Sequence, residues 1–524
     1  MIKKTLLFIF YAHVPYIYNE DGTEPFESSQ FFEMLSYGFL PFLRMCARLE
    51  AENVPFKCAL MISPILCEML SDHLLQDRYI AFLDDHIAFA QKEFERVAEP
   101  AQHPLHKLHL DLLTLNRNDF VNIHKKNILE KINGFVAKGY IEMLATSATP
   151  CFFPLYQDVP ETLTAQIELG LNSFREHFST VPSGFWLPAM GYNTGLDRTI
   201  KSYGIDYTVL ESQSFLFADR PPTHGIFSPA MSEHGLAFLG KDRNACIEII
   251  HPETGCYLHP NYLDTERDIG FELDERYLSS LFEVKKGRQA TGICYYHRGS
   301  GERYDAAAGV LQAEKDAERF IDNRLNVLSD IADILDTGHL CSACVLPFRF
   351  LGKIWFEGMH WLETVFRKLA QMPDMDCALP ADYLHKVRRI QSINPFYSSN
   401  LPSGYADELI NSSNDWMFPR IKKATERMID LAGRFPNDQG FKERTLNMAA
   451  KEVLLAQSVD WPLMANSNIS AEYAAKRCEE HINSFTAAYE ALGSGTISTN
   501  WLIKREKSYP IFSDMNYRFF IKRT

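Results

Sequence analysis

The sequence predicts an α/β fold in which a mainly parallel sheet, possibly closed into a barrel, is followed by a helical C-terminal domain. Three observations predict it. Short apolar runs alternate with longer helical patterns through the first half of the chain, and parallel strands require such crossover connections. From about residue 211 the pattern loosens into a stretch rich in Pro, Gly, His and aromatic residues, the composition of loops inserted over a sheet. Beyond about residue 392 the strand signal fades and amphipathic helices remain. The 524 residues are too many for one simple core. The expected division is barrel at 1–210, a loop-rich subdomain at 211–290, the rest of the barrel at 291–391 and the helical domain at 392–524.

The elements follow in order. Residues 4–10 form an apolar run that leads straight into Tyr11-Ala12-His13, with no small-residue cleavage site, so it reads as a buried first strand and not as a signal peptide. Residues 57–62 read as the second strand. Between them, 33–50 puts Leu35, Phe39, Phe42, Cys46 and Leu49 on one helical stripe, with Pro41 expected to kink the helix or mark a late start. Helix is expected at 128–138 and 162–178, strand at 141–145, 184–187 and 205–210. A long helix covers 306–334, an apolar segment follows at 343–350, and helices at 414–432, 445–456 and 471–492 build the C-terminal domain.

Bulk properties narrow the partners. The net charge of −14 would repel a phosphate backbone, which argues against nucleic acid. No apolar stretch approaches the ~20 residues that span a bilayer. Eleven cysteines without regular spacing fit reduced thiols in a cytoplasm. The lone Cys341-Ser-Ala-Cys344 lacks the second pair that a zinc site needs, and neither metal nor cofactor is expected.

Six segments carry a more specific signal. They are Tyr11-Ala-His13-Val-Pro-Tyr16, Gly139-Tyr-Ile-Glu142-Met-Leu-Ala-Thr-Ser-Ala-Thr149-Pro150 and Gly184-Phe-Trp186-Leu-Pro188-Ala189-Met-Gly-Tyr192. Further along come Tyr262-Leu-Asp-Thr-Glu-Arg267-Asp268-Ile-Gly270-Phe, Phe350-Leu-Gly352-Lys353-Ile-Trp355-Phe-Glu357-Gly358 and Ala449-Ala-Lys-Glu-Val-Leu-Leu-Ala-Gln457-Ser-Val-Asp460-Trp461. In that order they resemble glycoside hydrolase family 57, especially its 1,4-α-glucan branching enzymes and α-amylase-like members, over nearly the whole chain. The resemblance implies a (β/α)7 barrel, an incomplete TIM-like barrel, with an inserted subdomain and a helical C-terminal domain. It implies an α-glucan or maltooligosaccharide ligand and a retaining double displacement, in which two carboxyl groups about 5 Å apart serve as nucleophile and acid.

The sequence departs from that family where the chemistry sits. The nucleophile's position is Ala189, and a methyl group forms no glycosyl-enzyme bond. The acid's position, five residues before Gly352, is Pro347, which donates no proton. Tyr11, Pro150 and Lys353 stand at the motifs' histidines, and Arg349 at a glutamate. Glu142, Asp197, Glu357 and Asp460 lie in or beside motifs. Glu142 is expected in the cleft, as an acceptor for backbone or His13, and Glu357 on the rim beside Arg349 or Lys353. Trp186, Trp355, Trp416 and Trp461 read as sugar-stacking platforms or as core, with Trp461 expected to face the cleft. His13 reads as a sugar contact or as a satisfied structural histidine. The expected ligand-binding set is therefore His13, Glu142, Trp186, Trp355, Asp460 and Trp461. Three readings remain open: a glucan-recognising protein without the standard mechanism, an active enzyme with relocated carboxylates, and an assembly partner of glycogen-metabolism enzymes.

Overall fold

A computed structural model describes residues 3–16, 28–96, 103–279, 290–334, 339–402, 404–467 and 470–522. Ten strands appear in chain order: β1 (Lys3–Ala12), β2 (Cys58–Ile62), β3 (Ile141–Thr146), β4 (Gly184–Trp186), β5 (Tyr207–Leu210), β6 (Ala230–Met231), β7 (Ala237–Gly240), β8 (His339–Pro347), β9 (Met375–Cys377) and β10 (Gln391–Ser392). Parallel pairing runs β7-β5-β4-β3-β2-β1-β8. A parallel bridge from Lys241 to Ala343, with Asp242 N donating to Ala343 O at 2.9 Å, joins β7 back to β8. Seven parallel strands thus close into a (β/α)7 barrel. β6 pairs antiparallel to β7 outside it.

Burial on both sides explains the strand sequences. Residues Leu6–Phe10 are all fully buried, as is most of β8. A strand covered by its barrel interior on one face and by helices on the other has no polar side to alternate with. The enclosing helices include Pro160–His177, Ala306–Ile334 and Gly358–Leu369. Helices Met417–Arg434, Gly440–Ala456 and Ala471–Ser494 form the C-terminal bundle.

Two expectations change. Residues 28–51 are one helical path in three parts, Ser28–Glu33, a π-helical Met34–Phe39 and Leu40–Ala51. Pro41 sits in the first turn of the last part, so the π segment absorbs the hydrogen bond that Pro41 cannot make. The stretch expected as inserted loops contains β7, a barrel strand, and helix Arg243–Ile250. Four apolar residues closing a barrel are too short to stand out among the surrounding glycines and histidines.

Candidate functional site at the barrel mouth

Parallel barrels place their chemistry at the C-terminal ends of the strands, where the loops vary freely. At that end β1 presents Tyr11 and then His13. The Tyr11 ring stacks on Trp186, the last residue of β4, with centroids 4.8 Å apart and planes 19° apart. Burial raises the Tyr11 phenol well above its usual range, with Cys246 and Glu211 adding to the effect. Tyr11 is also the register partner of Pro347, the last residue of β8, and its carbonyl accepts from Phe348 N at 2.8 Å.

Ala189 lies three residues beyond Trp186, in a left-handed turn with φ 52° and ψ 22°. Met190 is left-handed too, at φ 48°. Two consecutive non-glycine residues there cost roughly 1–2 kcal/mol each, so the surroundings must hold them. Asn400 N donates to Ala189 O at 2.8 Å, and Tyr192 and Ser398 exchange backbone hydrogen bonds at 2.9 and 3.2 Å. Ala189 packs against the small cluster of Phe152, Leu409 and Val459, as do Leu401, Tyr405 and Leu463. The fourth-motif turn beyond Pro347 is braced from another side. Arg349 Nη1 donates to Gln30 at 3.1 Å, and Lys353 pairs with Glu33 at 2.8 Å. Gly352, at φ 115°, has no substitute: a Cβ there would lie 2.0 Å from the Tyr37 carbonyl.

His13 is fully engaged. Its Nε2 lies 3.0 Å from both oxygens of Asp460, and its Nδ1 lies 2.8 Å from Ser63 Oγ. Asp460 also accepts from Ser458 Oγ at 2.7 Å. The two ring nitrogens of His13 thus bridge Ser63 and Asp460. The pair therefore fastens the fifth motif to the first strand.

The remaining expected residues scatter. Glu142 is the second residue of β3, at the opposite end of the barrel. It accepts from Tyr207 OH at 2.7 Å and from Ala381 N at 3.0 Å, and burial raises its carboxyl above the usual range. It is a backbone acceptor, as expected, but it is outside the cleft and does not meet His13. Trp461 does not face the cleft: it is 2% exposed, with Nε1 donating to Leu455 O at 2.7 Å and the ring beside His481. Trp355 is 1% exposed among Tyr262, Phe350 and Trp361. Glu357 is not on the rim: it is buried, accepts from Tyr304 OH at 2.6 Å and Leu263 N at 3.0 Å, and is raised by burial. Asp197 is buried on His234 Nδ1 at 2.8 Å. Trp416 is half-buried under the Arg420 guanidinium. Of the expected binding set, His13 and Asp460 are joined by hydrogen bonds, and Trp186 stacks on Tyr11 at the same end of the barrel.

Sequence reasoning missed two sets of residues. Glu211 directly follows β5 and Lys241 directly follows β7, and they form an ion pair at 2.5 Å beside Tyr11. Their signal was available, since each is a charge placed at the end of an apolar strand. The second set is a file of aromatic rings on residues 394–402 and the neighbouring loops. Phe217 lies 5.9 Å from Phe396, Phe396 4.0 Å from Tyr397, Tyr397 4.9 Å from Tyr405, and Tyr405 5.4 Å from Phe152. Phe217 is 66% exposed, Tyr397 46% and Phe396 38%. The file ends beside Ala189. Phe396 N and O are held by Ser214, and Tyr405 OH donates to Tyr192 O at 3.1 Å.

The seven parallel strands and the loops at their C-terminal ends define a (β/α)7 barrel, and comparison with known proteins narrows the class. The glycosyl hydrolase family 57 profile matches residues 7–297, and that of the 1,4-alpha-glucan branching enzyme C-terminal region matches 420–520. The chain belongs to glycoside hydrolase family 57. It is 21% identical over 513 residues to a 1,4-alpha-glucan branching enzyme of Thermococcus kodakarensis, covering 92% of this chain and 73% of that protein. It is 22% identical over 538 residues to a probable 1,4-alpha-glucan branching enzyme of Mycobacterium tuberculosis, covering 94% and 93%. Among solved structures it is similar to the alpha-amylase AmyC from Thermotoga maritima, with a TM-score of 0.92, 28% identity and full coverage of both chains. The GH57-type branching enzyme from Pyrococcus horikoshii shares the fold at a TM-score of 0.88 and 21% identity, covering 99% and 97%.

Proposed function

We propose that this protein recognises α-glucan chains at the barrel mouth without carrying out the family's retaining reaction. The observation that carries the reading is the aromatic file that runs from solvent to the Ala189 turn. Exposed aromatic faces fit the apolar faces of glucose rings, and the relatives named for branching enzyme and alpha-amylase activity point to an α-glucan. The positions that the motif resemblance assigns to nucleophile and acid hold Ala189 and Pro347, which supply neither attack nor proton transfer. Glu211 and Asp460, the carboxylates described at the mouth, are each bonded to a cationic or imidazole partner. A cytoplasmic location goes with this reading, supported by the eleven free cysteines. No helix among the described residues is long and apolar enough to cross a membrane.

The test is a paired measurement on the full chain. Isothermal titration with maltoheptaose should give saturable binding, while iodine-staining and reducing-end assays on amylose and glycogen stay at background. Turnover abolished by Glu211→Gln or Asp460→Asn would show an active enzyme with relocated carboxylates. No binding of either maltoheptaose or glycogen would leave the fold as an assembly surface and end the glucan reading.

A further inference from the structure

On the outer wall of the barrel, away from the mouth, Glu68, Glu176 and His177 each bring a ligand atom to within 4.8 Å of the others. Glu68 comes from helix Pro64–Ser71, and Glu176 and His177 close helix Pro160–His177. Asp514, from the end of the chain, adds a third carboxylate that acts on both Glu68 and His177. The Nε2 of His177 is shielded from solvent and has no hydrogen-bond partner. The cation that stands nearby, Lys451, is committed elsewhere: its Nζ donates to the carbonyls of Tyr509 at 2.6 Å and Ile511 at 3.2 Å.

We propose that Glu68, Glu176 and His177, with Asp514 beside them, bind a divalent transition metal of the zinc type that fastens residues 509–515 to the barrel. Three carboxylates and one orphaned imidazole nitrogen form an anionic corner with no free counter-charge among its described neighbours. A cation would neutralise the corner and give Nε2 its missing partner. Imidazole in the donor set favours zinc over calcium and magnesium. Ligand atoms around zinc lie roughly 3.3 Å apart, so modest rotation of the two glutamates closes the shell. Glu176 is exposed and leaves an entry path from solvent.

The segment held there is itself strained. Phe512, whose N–H bonds to Glu68, has φ 55°. A metal on Glu68 would add a second anchor to a strap that Lys451 already holds from the other side. This site is independent of the glucan reading.

The test uses the full chain, stripped with EDTA and titrated with ZnCl2. One zinc per chain is expected by calorimetry, with a Tm rise of about 2–3 °C at a hundredfold excess over Kd, and no comparable response to calcium or magnesium. His177→Gln and Glu68→Gln should each abolish the zinc response while remaining folded. In EDTA, Glu68→Gln should melt at or above the wild type, because it removes a crowded charge. Zinc binding that survives both substitutions overturns the proposal. So does a wild type whose melting temperature and calorimetric trace do not respond to zinc.

Discussion

Replacing Phe217 with alanine probes the glucan path at its outer end. The ring is 66% exposed, so its removal disturbs little of the fold. An aromatic side chain has about 200 Å² of surface, which leaves roughly 130 Å² free on Phe217 and roughly 90 Å² on Tyr397. A sugar ring that covers half of each hides roughly 65 and 45 Å². At about 25 cal/mol per Å² these areas are worth about 1.6 and 1.1 kcal/mol. The expected losses are roughly 15-fold in Kd for Phe217→Ala and roughly sixfold for Tyr397→Ala, at about 1.4 kcal/mol per tenfold. Phe396 touches both neighbours, so a triple variant should lose less than the product of the single losses. Affinity electrophoresis in glycogen-containing gels, with calorimetry on maltoheptaose, measures the effect. The melting temperatures should stay within a degree of wild type. If both variants keep wild-type affinity while the protein binds glucan, the aromatic file is not the path.

Restoring the carboxylates with Ala189→Glu and Pro347→Asp should release reducing ends from maltoheptaose above the wild-type background, because the left-handed turn that presents residue 189 is still built; a double variant that binds but stays silent would mean the mouth no longer orients the chain. Gly352→Ala should cost roughly 4 kcal/mol by urea unfolding, since the added Cβ meets the Tyr37 carbonyl at 2.0 Å; a cost below 1 kcal/mol would deny the close approach. In the C-terminal bundle, burial opposes ionisation of Glu452, but His481 Nδ1 at 2.7 Å and Arg505 Nε at 2.5 Å hold its carboxyl at about 2. Relative to an ordinary value of 4.5, that carboxylate contributes about 3 kcal/mol above pH 4.5, and the contribution is lost as pH falls towards 2. Glu452→Gln should therefore be less stable than wild type at pH 7 and show a flatter loss between pH 4.5 and 2 in denaturant titrations; identical acid profiles would deny the linkage.

The barrel strands and outer helices were legible because burial on two faces writes long apolar runs, and β1 reads so from residue 4 to residue 10. β7 was not, since four residues carry too little pattern. At the mouth, motif membership proved a poor guide to orientation. Trp461 belongs to the fifth motif, but helix Asp460–Asn466 turns its indole into the bundle while the adjacent Asp460 reaches His13. Glu142 sits in the second motif yet opens β3, where barrel strands carry stability and not chemistry. Its place within the strand could have told this from sequence. The aromatic file could not be read that way, because Phe217 and Phe396 lie 179 positions apart in sequence and meet through hydrogen bonds from Ser214.

If the barrel mouth is the non-catalytic binding site proposed above, its replaced residues read as a repacked site and not as a decayed one. Loss of selection on a catalytic centre leaves changed side chains with no particular partners. Here each of several replacements has one. Tyr11 stacks on Trp186, Arg349 donates to Gln30, and Lys353 pairs with Glu33. The turn at Ala189 and Met190 sharpens the point. A left-handed conformation there is expensive for residues with a Cβ, and a site released from holding a nucleophile could relax it by a single change to glycine. It persists because Asn400, Ser398 and Tyr405 bond to the backbone of Ala189 and Tyr192. Those three belong to the segment that carries the aromatic file. On the proposed reading, the strained turn at Ala189 seats the exposed rings beside the mouth, and its strain serves binding.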